Sequence, residues 1–169
     1  TQTIRQHKGI MSLRDLRTYQ MKERLPVSVD YKGMKVVSMP PPSSGGIHVL
    51  QILKMLEPYE LGKRPPQSTE AVHLTALAMQ RAFKDRADYL GDPDFADVPT
   101  QSLISDSYLK QLSQMLDSPK AIPSGDVKKV AFPHESSETT HFTIADGEGN
   151  MVSSTQTING WFGAGLSAK

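Results

Sequence analysis

The hydrophobic period of this chain changes from two residues to 3.6 and back again, and few folds accommodate that order. Val27, Val29 and Tyr31 alternate with polar residues, Lys32-Gly33 can turn, and Met34, Val36 and Ser38 alternate again. The pattern predicts a β-hairpin opened by Pro26 and ended by Pro40-Pro41-Pro42, since prolines cannot donate to a strand ladder. Ser43-Ser44-Gly45-Gly46 then leads into a helix whose Val49, Ile52, Leu53 and Leu56 fall at i, i+3, i+4 and i+7. That spacing predicts a buried stripe, with Pro58 closing the helix. Ser68 is placed to cap a third helix, with Glu70 in its first turn, Leu74, Leu77, Ala78 and Ala82 on its inner face, and an end near Gly91. Asp92-Pro93-Asp94 reads as a turn, and Leu109, Leu112 and Leu116 mark one side of a fourth helix. Upstream of all these, Ser12-Leu13-Arg14-Asp15 has capping-box spacing and predicts a short helix to about Met21.

Residues 119–138 are rich in Pro, Ser and charge and read as a loop. Strand-like segments follow at 142–144 and 151–158, around the turn Gly147-Glu148-Gly149-Asn150. The order is helix, hairpin, three helices, hairpin, which is α+β with antiparallel strand pairs.

Composition narrows the partners. The 169 residues suit one domain that buries ~70% of its unfolded surface. Nineteen basic against eighteen acidic residues, with no basic stripe, argue against a nucleic-acid partner. The absence of cysteine excludes disulfides and thiolate metal sites. No apolar run approaches the ~20 residues of a membrane span, and Thr1-Gln2-Thr3-Ile4-Arg5 is not a signal peptide. His7, His48, His73, His134 and His141 are scattered without metal-ligand spacing, so no metal is expected.

The junction Glu138-Thr139 carries the chemistry. A loop runs straight into a strand that begins with threonine. The Thr139 hydroxyl can attack the Glu138 carbonyl, turn the amide into an ester, and let water release the chain. Thr139 then holds its own α-amine beside its own hydroxyl, with an unperturbed pKa near ~7.7, close to that of a base useful at neutral pH. Thr140 is the competing nucleophile, and an ordinary strand start is the bland alternative. If residues 146–151 form the hairpin turn, residues 157–159 come opposite Thr139 and Thr140. Thr157 or Asn159 then lies within reach, depending on register. Thr157 can orient a hydroxyl, and Asn159 can hold an amine or a carboxylate. His141 lies two residues from Thr139 on the same strand face, where packing is expected; Arg86 and Asp88 read as helix-surface or domain contacts.

Several long motifs agree in order with one family. Met39-Pro40-Pro41-Pro42-Ser43-Ser44-Gly45-Gly46, Asp85-Arg86-Ala87-Asp88-Tyr89-Leu90-Gly91-Asp92-Pro93-Asp94-Phe95, Thr139-Thr140-His141-Phe142, Asp146-Gly147-Glu148-Gly149-Asn150, Thr155-Gln156-Thr157-Ile158-Asn159 and Phe162-Gly163-Ala164-Gly165 together resemble the γ-glutamyltranspeptidases. The resemblance covers essentially the whole chain. It implies part of the αββα sandwich of the N-terminal nucleophile hydrolases. Residues 1–138 would end the large subunit and residues 139–169 would begin the small one, together forming one incomplete domain. It implies cleavage between Glu138 and Thr139, Thr139 as nucleophile, Thr157 as its support, and Asn159 at the amino-acid end of the γ-glutamyl group.

The implied donor is glutathione or another γ-glutamyl amide, and the implied acceptor is an amino acid, a peptide or water. No cofactor, nucleic acid or membrane is implied. The mature form would be a large/small subunit heterodimer, periplasmic or secreted. The family's carboxylate-binding arginine would precede Thr1, and its oxyanion glycines and lid would follow Lys169, so the isolated chain is expected to be inactive. A related amidase, of the poly-γ-glutamate depolymerase or cephalosporin acylase type, is the nearest alternative, and a non-catalytic α+β piece is the other.

Overall fold

The structure is a computed structural model that describes residues 2–118, 120, 139–158, 163 and 165. The chain divides into two compact units, Glu23–Val130 and a second made of Thr1–Lys22 with Ala131–Lys169.

The first unit begins with the expected hairpin. Strand β1 (Val27–Tyr31) pairs antiparallel with β2 (Met34–Ser38), with Val27 opposite Ser38 and Tyr31 opposite Met34. Lys32 and Gly33 turn at φ 49° and 79°, the doubly positive geometry of a two-residue hairpin. The Lys32 amide donates to Glu57 Oε1 at 2.7 Å, and Lys54 Nζ lies 2.7 Å from Glu57 Oε2. The strained turn is thereby tied to the next helix, and Lys54 holds the Glu57 carboxyl below its usual range.

That helix, α3 (Gly45–Leu56), follows two short helices of the second unit, α1 (Gln2–Gln6) and α2 (Leu13–Thr18). Two 3₁₀ turns, Glu57–Tyr59 and Leu61–Lys63, lead to α4 (Thr69–Tyr89). Ser68 caps α4 by accepting from the Ala71 amide, as the sequence predicts. Next come α5 (Thr100–Leu103), which the sequence reading did not anticipate, α6 (Asp106–Gln114), and a 3₁₀ turn at Met115–Asp117. Among the described residues, no helix is long and apolar enough to cross a membrane.

Helix α3 sits between two hydrophobic clusters. Its Ile47 and Leu50 pack with Val27, Val29, Leu103 and Leu109. Its Met55 packs with Leu74, Leu77, Ala78, Ala82, Leu112 and Leu116. The expected stripe of Val49, Ile52, Leu53 and Leu56 is therefore corrected. Val49 is 48% exposed, the other three are half-buried, and Ile47, Leu50, Gln51 and Met55 are buried. The helix is apolar on most sides, so its own period could not choose the inner face. The elements packed around it made that choice.

Buried Gln51 completes a polar bridge through this core. Its Nε2 donates to Asp85 Oδ2 at 2.6 Å and to the Leu103 carbonyl at 3.1 Å. Tyr108 Oη donates to Asp85 Oδ1 at 2.8 Å. Helices α3, α4, α5 and α6 thus share one network through Gln51 Nε2 and the Asp85 carboxylate, while Gln51 Oε1 is buried without a hydrogen-bond partner.

Entry into α3 is tight. Ser44 occupies the N-cap position but makes no side-chain capping bond. A Cβ on Gly46 would lie 1.8 Å from the Met39 carbonyl oxygen, whereas one on Gly45 would meet only Ser43 Oγ at 3.7 Å. Gly46→Ala is therefore expected to destabilise the unit by about 2 kcal/mol. Gly45→Ala is expected to be neutral or to stabilise by up to ~1 kcal/mol through helix propensity. Urea unfolding of the two variants checks the contrast, and equal midpoints would remove the close-approach argument.

In the second unit, Ser12 and Asp15 form the predicted capping box. The Ser12 amide donates to Asp15 Oδ2 at 2.7 Å, and the Asp15 amide donates to Ser12 Oγ at 3.4 Å. The Ser12 hydroxyl also donates to Asp15 Oδ2 at 2.7 Å, and this bond, followed by that of the Ser12 amide, holds the Asp15 carboxyl below its ordinary value. The helix stops at Thr18, short of Met21, because Tyr19 adopts an extended backbone. Strands β3 (Thr139–Ala145) and β4 (Met151–Thr157) form the terminal hairpin, a two-stranded antiparallel sheet separate from β1–β2. Helices with antiparallel strand pairs make the α+β class expected from sequence.

Candidate active site

The β3–β4 hairpin carries Thr139, His141 and Thr157. Its turn is organised by Asp146, whose Oδ1 accepts from the amides of Glu148 and Asn150 at 2.9 Å each. Its Oδ2 accepts from Asn150 Nδ2 at 2.8 Å. The Asn150 bonds hold the Asp146 carboxyl below its ordinary value, and Gly149 supplies a φ of 87°. This local chemistry fixes the loop length, and loop length fixes strand register.

The register runs from Ala145 opposite Met151 to Thr139 opposite Thr157. Side chains alternate across a strand, so Thr139, His141 and Thr143 share one face with Thr157, Thr155 and Ser153. Thr140 lies on the other face with Phe142, Ile144 and Val152. The two threonines at the strand start, equivalent by composition, therefore have different surroundings. At the strand start Thr139 faces Thr157 and lies beside His141 and Thr155, with Ala145 and Met151 closing that face at the turn, whereas Thr140 faces Gln156 on the side of Phe142, Ile144 and Val152.

The middle of the Thr139 face is connected by side-chain contacts. His141 Nδ1 is 2.7 Å from Thr155 Oγ1, and His141 Nε2 is 3.2 Å from Ser153 Oγ. Thr143 Oγ1 is 3.2 Å from Ser153 Oγ. His141 is exposed and held by hydroxyls, so the expectation that it packs structurally is corrected. Its cross-strand partners could be found only once the register was known.

Glu138 and Asn159 lie outside the described residues, as does the loop read over 119–138 apart from Lys120. The hairpin brings Thr139 and Thr157 together as directly opposed residues. Chemically, this pair offers a hydroxyl nucleophile at a strand start with a second hydroxyl across the ladder. Of the helix candidates, Asp88 makes a surface pair with Lys84 at 3.0 Å, and Arg86 lies 5.8 Å over the Phe83 ring. The sequence reading passed over Asp85, although it continues the inner stripe of Leu74, Ala78 and Ala82.

Known proteins resemble this chain in sequence and in backbone. A sequence profile described as Gamma-glutamyltranspeptidase matches residues 1–169. The glutathione hydrolase proenzyme of Escherichia coli (strain K12) is 44% identical over 169 residues, covering 99% of this chain and 29% of the relative. The crystal structure of Helicobacter pylori gamma-glutamyltranspeptidase superposes with a TM-score of 0.67 at 39% identity, covering 72% of this chain and 35% of that one. The crystal structure of cephalosporin acylase from Bacillus halodurans gives 0.63 at 26% identity, covering 89% and 26%. The chain therefore spans less than a third of the length of the E. coli relative. A profile that matches every residue, and a backbone shared with solved members at substantial identity, make this chain a member of the gamma-glutamyltranspeptidase family.

Proposed function

We propose that the full-length protein is a glutathione hydrolase and γ-glutamyltransferase whose nucleophile is Thr139, released by cleavage of the Glu138–Thr139 bond. The observation that carries this reading is the register that sets Thr139 opposite Thr157 and beside His141 and Thr155, in a family whose relatives are named as proenzymes. In the first reaction the Thr139 hydroxyl adds to the Glu138 carbonyl carbon, the C–N bond breaks, and an ester forms. Breaking the C–N bond frees the Thr139 amine, and water then hydrolyses the ester, leaving a carboxylate on Glu138 and restoring the Thr139 hydroxyl. In the second, the hydroxyl adds to the γ-glutamyl carbonyl while the α-amine takes its proton. The leaving amine departs with a proton, and the γ-glutamyl group remains on Thr139 as an ester. Water, an amino acid or a peptide then accepts it.

On this reading, residues 1–138 end a large subunit and residues 139–169 begin a small one, so the mature protein is a heterodimer. Asn159 contacts the amino-acid end of the donor. A periplasmic or secreted location belongs to the same reading and rests on the family resemblance alone. The likeness to a cephalosporin acylase supports a second reading, in which the same nucleophile serves a different amide. Comparing glutathione with a cephalosporin side-chain amide as substrates separates the two.

Thr157 supports the nucleophile in this scheme. Thr157→Val keeps the shape and removes the hydroxyl. It is expected to slow maturation or turnover by ~10-fold, the effect of losing one hydrogen bond of ~1.5 kcal/mol. Mass spectrometry follows maturation and a chromogenic γ-glutamyl anilide follows turnover. Unchanged rates in both would reduce Thr157 to a strand residue.

A further inference from the structure

We propose that His141 is a positioning residue for Thr139, clamping the end of β3 that cleavage sets free. The inference rests on the reading of Thr139 as nucleophile. Cleavage makes Thr139 the first residue of its chain, and chain ends fray unless they are tied down. The turn that fixes the hairpin lies at its opposite end, at Asp146 and Asn150. The apolar side chains Phe142, Ile144 and Val152 face away from Thr139.

One side-chain link close to the free end is His141 to Thr155, one same-face pair in from Thr139 and Thr157. His141 holds β4 at two points, Thr155 through Nδ1 and Ser153 through Nε2. Hydroxyls both donate and accept, so these partners satisfy the imidazole in either neutral tautomer and as the cation. The clamp therefore works by geometry and leaves the proton of the reaction to the Thr139 amine.

Three variants of the full-length protein test this. His141→Phe removes both bonds, His141→Asn retains a polar atom at the Nδ1 position facing Thr155, and Thr139→Ala tests the underlying reading. Before cleavage, β3 is still joined to the preceding chain, so fraying matters chiefly afterwards. His141→Phe is expected to lower kcat about tenfold with KM unchanged, while the rate of processing stays within about threefold of wild type. His141→Asn is expected to recover most of the lost kcat. The acid limb of the pH–rate profile is expected to keep its position in both.

Wild-type kcat in His141→Phe overturns the clamp, as does an equal loss of kcat and processing or a failure of His141→Asn to rescue. Loss of the acid limb would make His141 the base and also overturns it. If Thr139→Ala still processes and turns over, the nucleophile reading has failed, an outcome distinct from any of the His141 results.

Discussion

Thr139→Ala is expected to abolish cleavage at Glu138–Thr139 and to lower γ-glutamyl turnover by ~10⁴-fold or more, the scale on which deletion of a covalent nucleophile acts. The single substitution removes the attacking oxygen from both reactions. Thr139→Ser keeps that oxygen and loses only a methyl group, so it is expected to retain processing at a reduced rate. Thr140→Ala is the sharper control. Thr140 points to the opposite face of β3, so its removal is expected to leave the position of cleavage unchanged. N-terminal sequencing of the mature small chain reads the result. A chain beginning at Thr140 or His141 would move the nucleophile and end this assignment.

Asp85→Ala is expected to destabilise the Glu23–Val130 unit by about 3 kcal/mol. The carboxylate accepts from Gln51 Nε2 and Tyr108 Oη, and it is only 5% exposed. Removing it strands the Tyr108 hydroxyl, leaves Gln51 with the Leu103 carbonyl as its remaining acceptor, and opens a small cavity. Tyr108→Phe deletes one donor and leaves the other in place, so it is expected to cost about 1 kcal/mol. Urea unfolding of the single and double variants measures the coupling, and additive losses would show that the three groups do not act as one network.

Burial raises the Asp85 carboxyl above its ordinary value, opposed by the hydrogen bonds from Tyr108 and Gln51. A raised folded pKa means that the folded protein holds this proton more tightly than the unfolded chain. The contribution is fully present below the unfolded value near ~3.9 and is lost as pH rises through the folded value. The cost of Asp85→Asn is accordingly expected to be larger at about pH 4 than at about pH 7. A cost independent of pH would contradict the raised value.

Much of the local structure was legible because short-range chemistry decides it. Ser12 and Asp15 announce a helix start by their spacing, and both bonds form. Lys32-Gly33 and the segment from Asp146 to Asn150 announce turns, and each fixes its hairpin. The opposition of Thr139 and Thr157 follows from that second turn, which is why the sequence could bring them near one another. It could not choose between registers one residue apart, because each supplied a polar partner for Thr139. The hydrogen bonds around Asp146 made that choice.

Taken alone, the sequence determined the order of elements, the two hairpins and the family, since those follow from period, turn residues and extended motifs. Tertiary structure decided what required two distant segments at once. It turned α3 so that Ile47, Leu50, Gln51 and Met55 face inward, because strand β1 and helices α4 and α6 pack around a helix apolar on most sides. It made Asp85 an acceptor for Gln51 and Tyr108, 34 and 23 residues away in the chain. It gave His141 its partners Thr155 and Ser153 across the ladder. A hydrogen bond between remote residues leaves no period in a sequence, so it becomes visible only when packing has brought donor and acceptor together.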